Sequence, residues 1–320
     1  MDDTRGAPLH VMAGVLCDAQ GRVLLAQRPA GKHLAGLWEF PGGKLEPGEA
    51  PQSALVRELH EELGVRIEPQ DGTPLIRIPW HYGERGLLLD AWRFTRWQGV
   101  PASLEGQALQ WQLPWEVDLA MLAPADRPIL QALRLPAIYA ITPADVPPQH
   151  ADAWRERIVQ AMARGVRLIQ LRFPLWSTEQ VRDLAAYLQP FALRHQAQVL
   201  LNGDIDGARR LGAGIGVHLT SAQLDELTER PLPWSQLVGA SCHDAAQLHA
   251  STHRADFATL SPVAPTTSHP DAATLGWPRF QQLAEAAALP VYALGGMAPA
   301  LADEARPHGA QGVAGIGAFW

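Results

Sequence analysis

Short apolar runs alternate with amphipathic segments along the whole chain, but the rhythm changes near residue 135. Before that point, "HVMAGVLCD", the turn "AQGR" and "VLLAQR" predict a β-hairpin. "TPLIRIPWHY" and "LLLDAWRFTRW", rich in aromatic and branched residues and bounded by Gly and Pro, predict a second pair of strands. Between them "SALVRELHEELG" has helical spacing, with Ala54, Leu55, Leu59 and Leu63 as apolar anchors and Gly64 placed to stop the helix. "APADRPILQAL" predicts a last short helix with Asp126 near its N-cap. After residue 135 come eight apolar runs, "AIYAIT", "VRLIQLRF", "QVLLNG", "IGVHLT", "LVGASCH", "FATLSPV", "PVYALGG" and "GVAGIGAF", separated by helical segments. That alternation predicts an eight-stranded β/α barrel, with a doubly wound open sheet as the alternative. The chain stops just after the eighth run, so the barrel is expected to lack most of its last helix.

Composition agrees with two folded domains, expected at 1–134 and 135–320: 320 residues, 47% hydrophobic and 18% charged. Two cysteines, Cys17 and Cys242, make neither a disulfide framework nor a four-ligand zinc site. No leader-like segment or bilayer-length apolar run is present, which predicts a cytoplasmic protein without a membrane partner. A net charge of −7 with no basic run argues against direct nucleic-acid binding, while free nucleotides remain open because a metal ion can carry the positive charge.

The predicted helix concentrates the chemistry. Glu58, Glu61 and Glu62 stand at i, i+3 and i+4, so their carboxylates share one face. Each such like-charge pair destabilises a bare helix by about 0.2–0.5 kcal/mol, and a hard divalent cation with oxygen ligands would reverse that repulsion. The same face on a solvated surface helix would bind nothing. The spacing decides between the two: Gly43, five residues, Glu49, seven residues, then "RELHEELGV" fills nine fixed positions within 23 residues of the Nudix box. The stretch resembles the Nudix hydrolases, and "LWEFPGGK" with "RWQGVPASLEGQALQW" resembles the MutT-type subgroup that removes oxidised guanine nucleotides.

That resemblance implies an α/β/α sandwich using Mg²⁺, with Mn²⁺ as the alternative, held by Glu58, Glu61, Glu62, the Gly42 carbonyl and Glu105. Glu58 or Glu105 would activate water, and Arg57 would orient Glu49 or a neighbouring carboxylate through a forked pair. Arg28, Phe40, Arg85 and Asp126 would hold the nucleotide, with Asp126 standing where the bacterial pattern has Asn. Ionised Asp only accepts, but a protonated one also donates. The implied reaction converts 8-oxo-dGTP to 8-oxo-dGMP and pyrophosphate, protecting DNA by cleaning the nucleotide pool.

"GVRLIQLR", "GVHL", "GASCHD", "ADFATLSPVAPT", "PVYALGGM" and "GAQGVAGIGAF" resemble the thiamine phosphate synthase and TenI family over nearly all of 135–320. Gly295 and Gly296 fall where such barrels bind phosphate, and tight strand-end packing explains them equally well. Against the synthase pattern, Pro174 replaces a Lys, Gly203 and Gln223 replace both metal carboxylates, and His269 replaces a second Lys. Synthase activity is therefore not expected. His243 stands where TenI-type thiazole tautomerases carry their working His. The barrel is thus expected to be a degenerate scaffold, an oligomerisation element, a tautomerase or a thiamine-phosphate-binding module, the last two linking the hydrolase to thiamine metabolism.

Overall fold

A computed structural model describes residues 8–266 and 273–320, and the chain divides into two compact units between Arg134 and Leu135. The first unit holds two three-stranded sheets. One contains β1 (Leu9–Leu16) beside β5 (Arg85–Phe94), which pairs in turn with β4 (Thr73–Tyr82). The other contains β2 (Val23–Gln27) between β3 (Trp38–Glu39) and β6 (Leu109–Gln112). The expected β1–β2 hairpin does not form as a ladder: after one bridge, Cys17 to Val23, the strands part into different sheets. Both edges of β1 are already taken, one by β5 in parallel register and one by the Pro41–Leu45 segment. Met12 N donates to Gly43 O at 2.8 Å, and Gly14 N to Pro41 O at 2.8 Å.

Helix α1 runs Pro51–Leu63 and buries Ala54, Leu55, Leu59 and Leu63. Pro51 suits the first turn, and Gly64 ends the helix at φ 69°, donating back to His60 O. Leu59 packs over Gly14 of β1, where an added Cβ would lie 2.7 Å from its methyl group. That contact fixes the depth of α1, and hence which of its faces remains available to the cleft. Helix α2 (Arg127–Arg134) closes the unit.

The second unit is a closed barrel of eight parallel strands. They are β7 (Ile138–Ile141), β8 (Leu168–Leu171), β9 (Gln198–Asn202), β10 (Ile215–Leu219), β11 (Val238–Cys242), β12 (Phe257–Leu260), β13 (Val291–Leu294) and β14 (Gly312–Gly315). The barrel closes where β14 pairs with β7. Every apolar run in the sequence supplies one strand, because barrel strands are buried on both faces and read as near-continuous hydrophobic stretches. After β14 comes a 3-10 turn, Gly317–Phe319, and then Trp320, whose indole donates to Ile141 O at 2.7 Å and meets the Trp154 ring edge-on. No helix among the described residues is long and apolar enough to cross a membrane.

Candidate active site

The acidic face of α1 lies against the Gly42–Gly43 turn. Gly42 adopts φ 144°, and a Cβ there would lie 2.2 Å from Met12 O, so only glycine permits this approach to β1. The Glu58 carboxyl covers Gly43, 2.1 Å from where a Cβ would stand. Gly43→Ala should therefore push the flexible Glu58 side chain aside while the backbone stays in place. The expected result is a folded protein with hydrolysis reduced by about 10²-fold, the scale of a misplaced catalytic group. Melting and steady-state rates together check it, and an unchanged rate would remove Glu58 from the chemistry.

Arg57 organises the carboxylates. Its Nε and one terminal nitrogen fork onto Glu49 at 3.1 and 2.9 Å, and the other terminal nitrogen reaches Glu58 Oε1 at 2.9 Å and Glu61 Oε2 at 3.3 Å. Hydrogen bonds to Arg57 hold the Glu49 carboxyl below its usual range. Glu62 accepts from Gly42 N at 3.1 Å, which shows the backbone N–H, beside the carbonyl inferred from sequence, facing the acidic helix. Burial, reinforced by the charges of Glu105, Glu39 and Glu58, pushes the Glu62 carboxyl up to about 7, despite that hydrogen bond. Glu105 comes from a loop stitched to the end of α1: Leu104 N donates to Glu62 O at 3.0 Å, and Gln107 ties Ser103, Glu105 N and Glu62 O together.

Among the described residues, no group of three or more His, Cys, Asp or Glu is gathered tightly enough to enclose a metal ion. The residues nevertheless fit a hard divalent cation: the donors are all oxygen, and Glu62 is raised first by burial and then by the charges of Glu105, Glu39 and Glu58, a set that a cation would offset.

A second cluster of side chains is built from distant parts of the chain. Asp126 ends a 3-10 turn leading into α2, and its Oδ1 accepts from Phe40 N at 2.9 Å across 86 residues, so it serves this cross-chain contact where the sequence suggested an N-cap. Burial and the nearby Glu39 push its carboxyl up to about 8, only partly offset by the Phe40 hydrogen bond and Arg28. That shift favours the protonated form, which can donate as well as accept. The Phe40 side chain is buried, and Arg28 pairs with Glu39 and donates to His33 O at 2.7 Å. Arg85 lies exposed at the turn of the β4–β5 hairpin, across from Tyr82 and apart from the buried set. Sequence reasoning missed Glu39 and Tyr82. Glu39 is an acid inside a short apolar strand, raised by burial against the pull of Arg28, and Tyr82 Oη accepts from Ala125 N at 3.2 Å. An acid within "LWEF" was the available signal for the first; the second had none.

In the barrel, the two positions that carry metal carboxylates in the synthase pattern bond to each other: Gln223 Nε2 donates to Gly203 O at 2.7 Å. Gln223 also completes a capping box with Thr220, so it serves the helix start. His269 lies outside the described residues. Gly295 and Gly296 adopt φ 93° and 69°, and a Cβ on either would lie 2.8 Å from Pro262 or Ala264, which makes close packing a sufficient reason for both. His243 Nδ1 faces Ser261 O at 3.0 Å; the carbonyl can only accept, so Nδ1 is the donor in this contact. A buried chain unseen in the sequence links Tyr139 Oη to His218 Nδ1 and His218 Nε2 to Ser241 Oγ, each at 3.0 Å. Burial drives the His218 pKa down to about 3, so this ring stays neutral.

The first unit thus sets an acidic helix beside two three-stranded sheets, and the second is a closed barrel of eight parallel strands. The chain belongs to the thiamine monophosphate synthase family through residues 138–319, and to the Nudix domain family through residues 12–132. The CTP pyrophosphohydrolase of Escherichia coli is 44% identical to it, the match covering 43% of this chain and 98% of that protein. The 8-oxo-dGTP diphosphatase of the same organism is 33% identical over 39% of this chain and 96% of its own length. On the barrel side, the thiamine-phosphate synthase of Laribacter hongkongensis is 39% identical over 50% of this chain and 76% of that enzyme. The first unit is accordingly a Nudix hydrolase unit, fused to a TenI-like barrel.

Proposed function

We propose that the Nudix unit hydrolyses 8-oxo-dGTP to 8-oxo-dGMP and pyrophosphate, with Asp126 reading the base. The observation that carries this is the buried Asp126 carboxyl, which accepts from Phe40 N and whose pKa burial raises, favouring the neutral form. A neutral carboxyl presents a donor and an acceptor side by side. 8-Oxoguanine offers the complement, N7–H beside O6, whereas guanine offers two acceptors there.

Glu58, Glu61, Glu62, Glu105 and the Gly42 carbonyl would hold Mg²⁺ or Mn²⁺, which when bound neutralises phosphate charge and polarises water. Glu58 is steadied through Oε1 by Arg57, leaving Oε2 free to take the proton of the attacking water. The water oxygen bonds to the β-phosphorus, the bond to the bridging α–β oxygen breaks, and the monophosphate leaves.

A second reading, hydrolysis of CTP, is favoured by the 44% identical relative. Cytosine also places an acceptor, N3, beside a donor, the N4 amino group. Pyrophosphate release from 8-oxo-dGTP, dGTP and CTP, compared as kcat/KM by the full chain, separates the two. A large preference for 8-oxo-dGTP is expected, and a preference for CTP would replace the first reading by the second. The barrel, with Gly203 and Gln223 bonded together, is expected to form no thiamine phosphate from its two precursors, and turnover there would overturn its assignment as a non-synthase module.

A further inference from the structure

The segment between β2 and β3 is tied down at several points. Gln27 Nε2 donates to Gly36 O at 3.0 Å, Gly36 N to Arg28 O at 3.0 Å, and Arg28 Nε to His33 O at 2.7 Å. Positive φ at Gly31, Leu34 and Gly36 gives the segment its folded course. On one side the His33 ring meets Tyr82 edge-on at 5.1 Å, next to the turn that carries Asp126. On the other side Lys32 Nζ lies 3.7 Å from Glu105 Oε2, and its charge also acts on Glu39. Two adjacent residues thus reach in two directions, His33 toward the turn that carries Asp126 and Lys32 to Glu105, whose loop is fastened to the end of α1.

Three cations of this unit differ in how firmly they are held. Arg28 is paired with Glu39 and a backbone carbonyl, and Arg57 is forked onto Glu49. The Lys32–Glu105 pair is exposed on both sides, at 59% and 48%, and therefore weak and screened by solvent. A bound cation would take Glu105 and leave the ammonium without its partner.

We infer that Lys32 is a phosphate-binding residue of the Nudix unit, one that exchanges Glu105 for the terminal phosphates of the nucleoside triphosphate. The inference rests on the reading of this unit as a nucleoside triphosphate pyrophosphohydrolase. A flexible point charge suits the task, because the phosphate it follows changes position as pyrophosphate departs.

The exchange has two consequences of opposite sign. Lys32→Gln should raise KM for the better of 8-oxo-dGTP and CTP by roughly tenfold, as expected for losing one charged contact, with kcat changed much less. The same variant should bind Mn²⁺ without nucleotide up to about fivefold more tightly, because the competing ammonium is gone. Steady-state kinetics gives the first, and the electron paramagnetic resonance signal of free Mn²⁺ gives the second. Lys32→Arg should restore a near-normal KM. An unchanged KM in Lys32→Gln would overturn the inference whatever happens to Mn²⁺, and so would weakened Mn²⁺ binding, which would mark Lys32 as a support of the acidic site. If wild-type protein neither binds nor hydrolyses either nucleotide, the parent reading fails instead.

Discussion

Glu58→Gln should lower pyrophosphate release by roughly 10³-fold while the protein remains folded, within the range for removing a general base. Gln keeps the size of Glu and an oxygen that can accept from Arg57, so the geometry at 2.9 Å survives. It loses the charge that would hold a cation and the basicity that would take the proton. Stability should change little: the substitution relieves repulsion with Glu61 and Glu62, about 0.2–0.5 kcal/mol per pair, and weakens the Arg57 contact by a similar amount. A melting temperature within a degree or two of wild type, beside a collapsed kcat, would locate the defect in chemistry. A near-normal kcat would pass the role of base to Glu105, whose loop is fastened to the end of the same helix.

How much of this was legible in the sequence depended on how locally each feature is determined. Helix α1 carries its own instructions: apolar spacing, Pro51 at its start, Gly64 at its end and three carboxylates on one face. The eight barrel strands were equally plain, since burial on both faces leaves a run of apolar residues that needs no partner to be recognised. The β1–β2 hairpin misled because strand pairing is a competition, and β5 and the Pro41–Leu45 segment, remote in sequence, occupy the edges that β2 would have used. Base-pocket contacts were hidden for the same reason. Nothing near Asp126 signals that its partner is the Phe40 amide 86 residues away, nor that Glu39 would lie close enough to raise its pKa. The sequence alone left the protonation state of Asp126 open, with the protonated form able to donate and the ionised form only to accept.

That proton gives the other large expected effect. Asp126→Asn should make the Nudix unit more stable than wild type at alkaline pH and nearly equal to it only below about pH 4, where the carboxyl is protonated folded or unfolded. The carboxyl titrates near 3.8 when unfolded and at about 8 when folded, so between those values the native state binds a proton that the unfolded state does not. Stability must then fall as pH rises through that window, and the whole penalty is present above about 8. Linkage puts it at a few kcal/mol, since each unit of pKa is worth about 1.4 kcal/mol and part of the shift relaxes as water enters. Asn is neutral throughout, offers the same oxygen to Phe40 N, and carries no such slope. Glu62, also raised by burial, is present in both proteins and cancels from the difference. Urea unfolding at pH 5, 7 and 9, read by hydrogen exchange of the β1 amides so that barrel unfolding is not mistaken for it, should show a gap that widens with pH. Activity should diverge in parallel. Above pH 8 the wild-type carboxyl loses its donor and kcat/KM for 8-oxo-dGTP should decline, while the Asn variant, donor and acceptor at every pH, should not share that decline. Parallel stability and rate profiles for the two proteins would mean that Asp126 is ionised in the folded state, and that the base is read by some other group.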